Sequence, residues 1–165
     1  MLSFYRILIN FIFLLSPLII IYRIIKNKED KGKLIWFHGA SVGELRSIVP
    51  LLEKLNHNKN ISQILVTSNT LSSSKIMQKI RLKKVIHQFF PIDTNFLSNK
   101  FLNYWQPSLA IFIDSEIWPN TLLNLKKKNI PTALINGRIT KKTFKKWLYF
   151  KSFAKEIFSK INLCL

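Results

Sequence analysis

Leu34-Ile35-Trp36-Phe37-His38-Gly39-Ala40-Ser41-Val42-Gly43-Glu44-Leu45 is the stretch on which the fold turns. It opens as a short, unbroken apolar run, the pattern of a strand buried on both faces. Gly39 and Gly43 then punctuate the chain. Ser41 and Glu44 stand in the S-x-x-E arrangement that starts helices. Beyond them Leu45, Ile48, Val49, Leu52 and Leu55 fall on one helical face, which predicts a helix over residues 45–55.

The same alternation recurs to the end of the chain. Residues 61–67, 85–90, 109–113 and 132–135 are further short apolar runs. Between them Phe96, Phe101, Leu102 and Trp105 share a helical face with Leu97 beside them, and Pro119 suits the first turn of a helix over residues 118–125. Continuous apolar strands separated by helices imply a parallel sheet with helices on both faces. We therefore expect a Rossmann-like α/β domain over residues 34–165. The last run, residues 161–165, begins another strand and stops without a turn or a polar tail. From this we expect the natural chain to continue, or this copy to be truncated.

The amino-terminal side reads differently. Residues 7–22 (ILINFIFLLSPLIIIY) carry no charge. With residues 2–6 the segment reaches about twenty residues, near the length that spans a bilayer core. Arg6 would sit at the interface, and a kink at Pro17 is tolerated inside a membrane. The flank carries Arg23, Lys26, Lys28, Lys31 and Lys33, which by the positive-inside rule places the rest of the chain in the cytoplasm. Tyr22-Arg23-Ile24-Ile25 is not a signal-peptide cleavage site. We read a membrane-anchor helix over residues 1–25 and a basic linker over residues 26–33. A buried helix of a soluble domain and a helix lying in the interface stay open as alternatives.

The net charge of +18 points to an anionic partner: nucleic acid, a membrane surface or a phosphorylated substrate. Solvated surface lysines account for it equally well. No RNP motif, zinc finger or helix-turn-helix pattern accompanies the charge, so nucleic acid is not expected. One cysteine, Cys164, excludes an internal disulfide framework, and with three histidines it excludes a Cys/His zinc site. Lysines cluster at residues 79–84, 126–128 and 141–146. The last cluster interleaves with Phe144 and Trp147, as on a membrane surface or an ordinary amphipathic helix.

Open parallel sheets bind ligands beyond the carboxyl ends of their strands. Three of the four glycines (Gly39, Gly43, Gly137) and three of the eight acids (Glu44, Asp114, Glu116) lie in loops at that edge. Glycine allows close approach of a ligand, and a helix start favours an anion. Glu44 has two readings: a capping-box residue, or a base that takes a proton from a sugar hydroxyl. Asp114 and Glu116 need partners if half-buried, and Arg138 is the expected one. Asn120 and Asn136 suit hydrogen bonding to a sugar. His38 reads as a packed strand-end residue, and Trp36, Trp105 and Trp147 as core or membrane-facing aromatics.

Taken together these loops resemble one family. Trp36-Phe37-His38-Gly39-Ala40-Ser41-Val42-Gly43-Glu44 resembles W-x-H-x-x-S-V-G-E, Ser115-Glu116-Ile117-Trp118-Pro119-Asn120 resembles T-E-L-W-P-N, and Asn136-Gly137-Arg138-Ile139 resembles N-A-R-L, all motifs of the Kdo (3-deoxy-D-manno-octulosonic acid) transferases of lipopolysaccharide synthesis. Gly137 stands where that family has Ala. The resemblance implies the N-terminal, acceptor-binding domain of a GT-B glycosyltransferase, with the donor-binding domain absent from this chain. It implies inverting transfer of Kdo from CMP-Kdo to a lipid A precursor (lipid IVA) at the cytoplasmic face of a bacterial inner membrane, with no cofactor and no metal. Glu44 matches the general base. Ser41 and Gly43 match the loop that holds the reacting sugars, and Glu116, Asn120, Asn136 and Arg138 match other positions near the acceptor cleft. The implied partners are the phosphorylated lipid acceptor, an anionic membrane and, through the missing domain, CMP-Kdo. A catalytically inactive, membrane-tethered module that binds the lipid A precursor is the alternative.

Overall fold

Each internal apolar run becomes a strand, and the strands pair in parallel because helical crossovers separate them. The computed structural model describes residues 32–165. β1 (Lys33–His38), β2 (Ile61–Ser68), β3 (Val85–Phe89), β4 (Leu109–Ile113), β5 (Thr132–Ile135) and β6 (Leu163–Cys164) form one sheet in the order β3-β2-β1-β4-β5-β6. Every neighbouring pair is parallel. α1 (Val42–Ser47) and α2 (Val49–Asn56) follow β1, and α3 (Leu71–Lys79) follows β2. α4 (Asn95–Trp105) follows β3, α5 (Pro119–Lys127) follows β4, and α6 (Lys141–Tyr149) and α7 (Lys151–Phe158) join β5 to β6. This is the doubly wound, Rossmann-like arrangement, with its strand order reversing between β1 and β4. The expected anchor over residues 1–25 lies outside the described residues, as does all of the linker but Gly32 and Lys33. Among the described residues no helix is long and apolar enough to cross a membrane.

Two apolar layers sandwich the sheet, because successive side chains of a strand point to opposite faces. Trp36 and Leu65 pack with Phe101, Trp105, Leu122 and Ile157 on the face of α4, α5 and α7. Phe37, Ile64 and Val66 pack with Leu45, Leu52 and Met77 on the face of α1, α2 and α3. Trp36 anchors the first layer, with ring centroids 4.9 Å from Phe101 and 5.4 Å from Phe112. Its indole N–H donates to Thr67 Oγ1 at 2.9 Å, so the one polar atom of a buried ring is satisfied.

Local chemistry fixes where the helices start. Ser41, Thr70, Thr94 and Thr140 each accept, through the side-chain oxygen, the backbone N–H three residues on. The helix expected over residues 45–55 is instead two, meeting at Ile48. Pro50 has no N–H to give to the carbonyl of Arg46, so the first helix ends and the second restarts with proline in its opening turn. The apolar stripe survives the break, with Leu45, Ile48 and Leu52 all buried. Phe96 departs from its expected place and is 70% exposed. The buried stripe of α4 runs through Leu97, Phe101, Leu102 and Trp105, which leaves Phe96 on the outer face with Lys100 one turn on.

His87 on β3 makes the fold sensitive to acid. Burial pushes its pKa from the ordinary 6.5 down to about 4. Its Nε2 lies 2.8 Å from the Ser68 hydroxyl. The unfolded chain therefore takes up a proton below pH 6.5 that the folded chain refuses until about pH 4, so stability falls as pH drops through that window. With allowance for partial solvent exposure, the loss between pH 7 and pH 5 is expected to be about 1–2 kcal/mol. Thermal melts of the wild type and His87→Gln at both pH values check this. The variant's melting temperature should fall less between pH 7 and pH 5, and an identical fall in both proteins would refute the assignment.

Candidate active site

The loops after β1 and β4 meet where the strand order reverses, which is where a doubly wound sheet opens a crevice. In the first loop the Ser41 hydroxyl accepts the Glu44 N–H at 3.2 Å and donates to Glu44 Oε1 at 2.7 Å. The backbone N–H of Ala40 donates to Glu44 Oε2 at 2.8 Å. The capping reading of Glu44 is thus realised in geometry, with Ala40 rather than Ser41 supplying the reciprocal N–H. The same bonds hold the carboxylate in one orientation at the sheet's edge, half-buried and facing an exposed Ser41. Each carboxylate oxygen has two acceptor sites, so both keep capacity for a ligand hydroxyl.

The two glycines of this loop serve different ends. A Cβ at Gly39 would lie 3.1 Å from Ile113 Cδ1 and 3.2 Å from Leu45 Cδ2, so a larger residue there would have to push those core side chains aside by a few tenths of an ångström. At Gly43 the nearest atom would be Ser41 Oγ at 3.9 Å. The fold does not require that glycine, and it leaves open space beside Glu44.

The second loop is built around Glu116. Its Oε2 accepts from the Trp118 indole N–H at 2.9 Å and lies 3.1 Å from His38 Nε2, the only ion pair among the described residues. Burial raises the Glu116 pKa, but the His38 hydrogen bond, the His38 charge and the Trp118 bond outweigh it, and the net shift is downward. An ionised carboxylate can only accept, so His38 Nε2 carries a hydrogen. The other nitrogen, Nδ1, is 2.9 Å from Thr67 Oγ1. His38 is fully buried and stacks on Phe90 at 4.0 Å, so it is packed as expected, but it also links β2 to the loop after β4. The expected pairing of Arg138 with Asp114 or Glu116 is not found among the described residues; at Glu116, His38 and Trp118 take that place.

Asp93 is a residue the sequence reading passed over. One oxygen accepts the Thr121 N–H at 2.8 Å and the Thr121 hydroxyl at 2.7 Å, and the other accepts the Asn120 N–H at 3.0 Å. α5 has no side-chain cap from its own N-cap residue, Trp118. Asp93 caps it from the loop after β3. Asn120, expected to face a sugar, instead donates its side-chain amide to the Asp93 carbonyl at 2.8 Å. Asp93 lies among Pro91-Ile92-Asp93-Thr94 at the functional edge. An acid there in so basic a chain was the available signal.

Asn136 and Arg138 sit apart, beyond β5. Asn136 is in the left-handed region at φ 53°, which asparagine tolerates better than most residues. Among the described residues Arg138's side chain bonds Asn136 Oδ1 at 3.4 Å, and its carbonyl accepts the Ser115 hydroxyl. Arg138 and Gly137 border a cavity of about 500 Å³ lined also by Ser115, Leu134, Trp147 and Phe158. Ser41, Gly43, Glu44, Glu116 and Asn120 do not line it. The predicted residues therefore divide into polar groups on the two loops after β1 and β4, a structural clamp at Asn120, and a more apolar recess beside β5.

Comparison with known proteins gives a consistent result. The family model described as 3-deoxy-D-manno-octulosonic-acid transferase (kdotransferase) matches residues 20–165. A 3-deoxy-D-manno-octulosonic acid transferase of Rickettsia felis is 45% identical over 131 residues, covering 78% of this chain and 28% of that protein. A probable mitochondrial one of Arabidopsis thaliana is 36% identical over 116 residues, covering 70% of this chain and 26% of its own length. One of Haemophilus influenzae is 30% identical over 129 residues, with 78% and 30% covered. The matched region spans less than a third of the length of these relatives.

Proposed function

We propose, on the premise that this chain belongs to the Kdo transferase family, that it forms the acceptor side of a glycosyltransferase that passes Kdo from CMP-Kdo to a lipid A precursor. The observation that carries this reading is the Glu44 carboxylate, held by Ser41 and the Ala40 N–H at the crevice between β1 and β4. In this reading an acceptor hydroxyl lies against Glu44. The carboxylate takes its proton as the oxygen attacks the anomeric carbon of Kdo from the side opposite the phosphate. The new carbon–oxygen bond forms, the bond to CMP breaks, and the electron pair leaves with the phosphate, inverting the anomeric centre. No resident metal or cofactor takes part.

Glu116 serves this site as an acceptor. His38 and Trp118 fix its Oε2, and in this reading its carboxylate accepts a neighbouring hydroxyl of the acceptor. Gly43 leaves room for the sugar ring, and Arg138 faces the acceptor's phosphates. CMP-Kdo is held by a second Rossmann-like domain, in a GT-B arrangement. The enzyme works at the cytoplasmic face of a bacterial inner membrane, with residues 1–25 as its anchor.

The test joins this chain to a donor-binding domain of the family in membranes and measures Kdo transfer from CMP-Kdo to lipid IVA. Transfer supports the reading. Lipid binding with no transfer would replace it with an inactive, membrane-tethered module that binds the lipid A precursor.

A further inference from the structure

We propose that the α6–α7 hairpin is a docking surface for an anionic lipid bilayer and lies in the bilayer interface beside the functional edge. The proposal rests on the membrane part of the preceding reading and adds to it the segment that meets the lipid. α6 buries no residue at all. Half of the exposed large hydrophobic side chains among the described residues fall in this one stretch: Ile139, Phe144, Leu148, Tyr149, Phe150 and Phe153. Tyr149 and Phe150, at the bend between the helices, are 83% and 69% exposed. A patch so apolar is uncommon on a surface that meets only water.

The charge around the patch selects its occupant. Lys141, Lys142, Lys145 and Lys146 occupy the side of α6 next to Phe144 and Leu148, and Lys151 and Lys155 continue the series along α7. Glu156 is the one acid of the hairpin. Between the helices runs a groove of about 440 Å³ lined by Phe144, Trp147, Leu148, Ala154 and Phe158, with Lys151 and Lys155 at its rim. A protein partner would have to match an apolar centre and an almost wholly cationic border at once. An anionic bilayer does so by its construction: aromatic and aliphatic side chains enter the acyl boundary while lysines stay among the headgroups. α6 begins shortly after the carboxyl end of β5, so docking there sets the crevice beside the bilayer from which a lipid substrate is presented.

The experiment uses the full chain reconstituted into vesicles of phosphatidylethanolamine with phosphatidylglycerol, and separately into phosphatidylcholine vesicles. With the exposed Cys164 replaced by serine, an environment-sensitive fluorophore is attached at Phe150→Cys or, as a control, at Lys59→Cys in the turn before β2. The expected result is a severalfold, blue-shifted rise in emission at position 150 on the anionic vesicles, quenched by spin-labelled acyl chains, and no change at position 59. Replacing Lys141, Lys142, Lys145 and Lys146 with Glu should remove most of that rise. A label at 150 that stays water-like on a vesicle-bound chain overturns the hairpin proposal and leaves the anchor reading standing. A rise that follows protein concentration without lipid overturns it in favour of a second copy of the chain. A chain that does not bind vesicles at all overturns both.

Discussion

Glu44→Gln is expected to lower Kdo transfer by about 10²–10⁴-fold, the range that a positioned general base contributes, while the protein still melts within a few degrees of the wild type. The two halves of this prediction separate two roles that share one side chain. Glutamine is accepted in a capping box because its carbonyl oxygen still receives a backbone N–H and its amide still faces the Ser41 hydroxyl. It cannot take up a proton. Glu44→Ala removes the bonds from Ala40 and Ser41 as well, and should cost about 1 kcal/mol of stability in addition to the lost activity. Equal transfer by the Glu44→Gln variant and the wild type would reduce Glu44 to a helix cap. The measurement is initial rate at saturating acceptor, with a melting curve on the same preparation.

The parts of this molecule that were legible in its sequence are those decided by near neighbours. A strand buried on both faces must be apolar at every position, so the five internal runs announced themselves, and alternation with helices implied the parallel sheet. Caps are equally local, and the Ser41–Glu44 pair bonds as its spacing foretold. Where the reading failed locally, a second rule competed with the first. The stripe over residues 45–55 has helical period, but Pro50 cannot donate within it, so one face is carried by two helices.

What was not legible depends on strand order. Nothing in the local pattern says that β1 lies beside β4, and only that adjacency brings His38 to Glu116, 78 residues along the chain. Arg138 was the natural partner on charge alone, yet it lies on a loop beyond β5, on the far side of β4 from His38. Glu116 also shows the sign of the effect. Its pKa is lowered on folding, so the stabilisation from its ionised pair is complete above the ordinary value of 4.5 and is lost as pH falls through the lower folded value. This window begins at the acid end of the one set by His87 and extends below it, so acidification past the His87 window continues to cost stability.

Asp93→Ala is expected to cost about 3 kcal/mol, because it strips the acceptor from two backbone N–H groups and one hydroxyl at the start of α5. For a domain of this size the melting temperature should drop by roughly 10 °C. Asp93→Asn should fall between the two proteins, because an amide keeps one acceptor oxygen and turns an NH₂ towards an N–H that needs an acceptor. The consequence for function follows the chain. Trp118 is the N-cap residue of α5, and its indole holds Glu116, so loosening that end frees the carboxylate from one of its two restraints. Transfer by Asp93→Ala should therefore fall even at temperatures where the variant is still folded. Circular dichroism melts beside transfer rates taken well below the transition would test both effects. A variant that melts with the wild type would show that α5 is capped without Asp93. One that melts early yet transfers at the wild-type rate would show that the position of Glu116 does not depend on the start of α5.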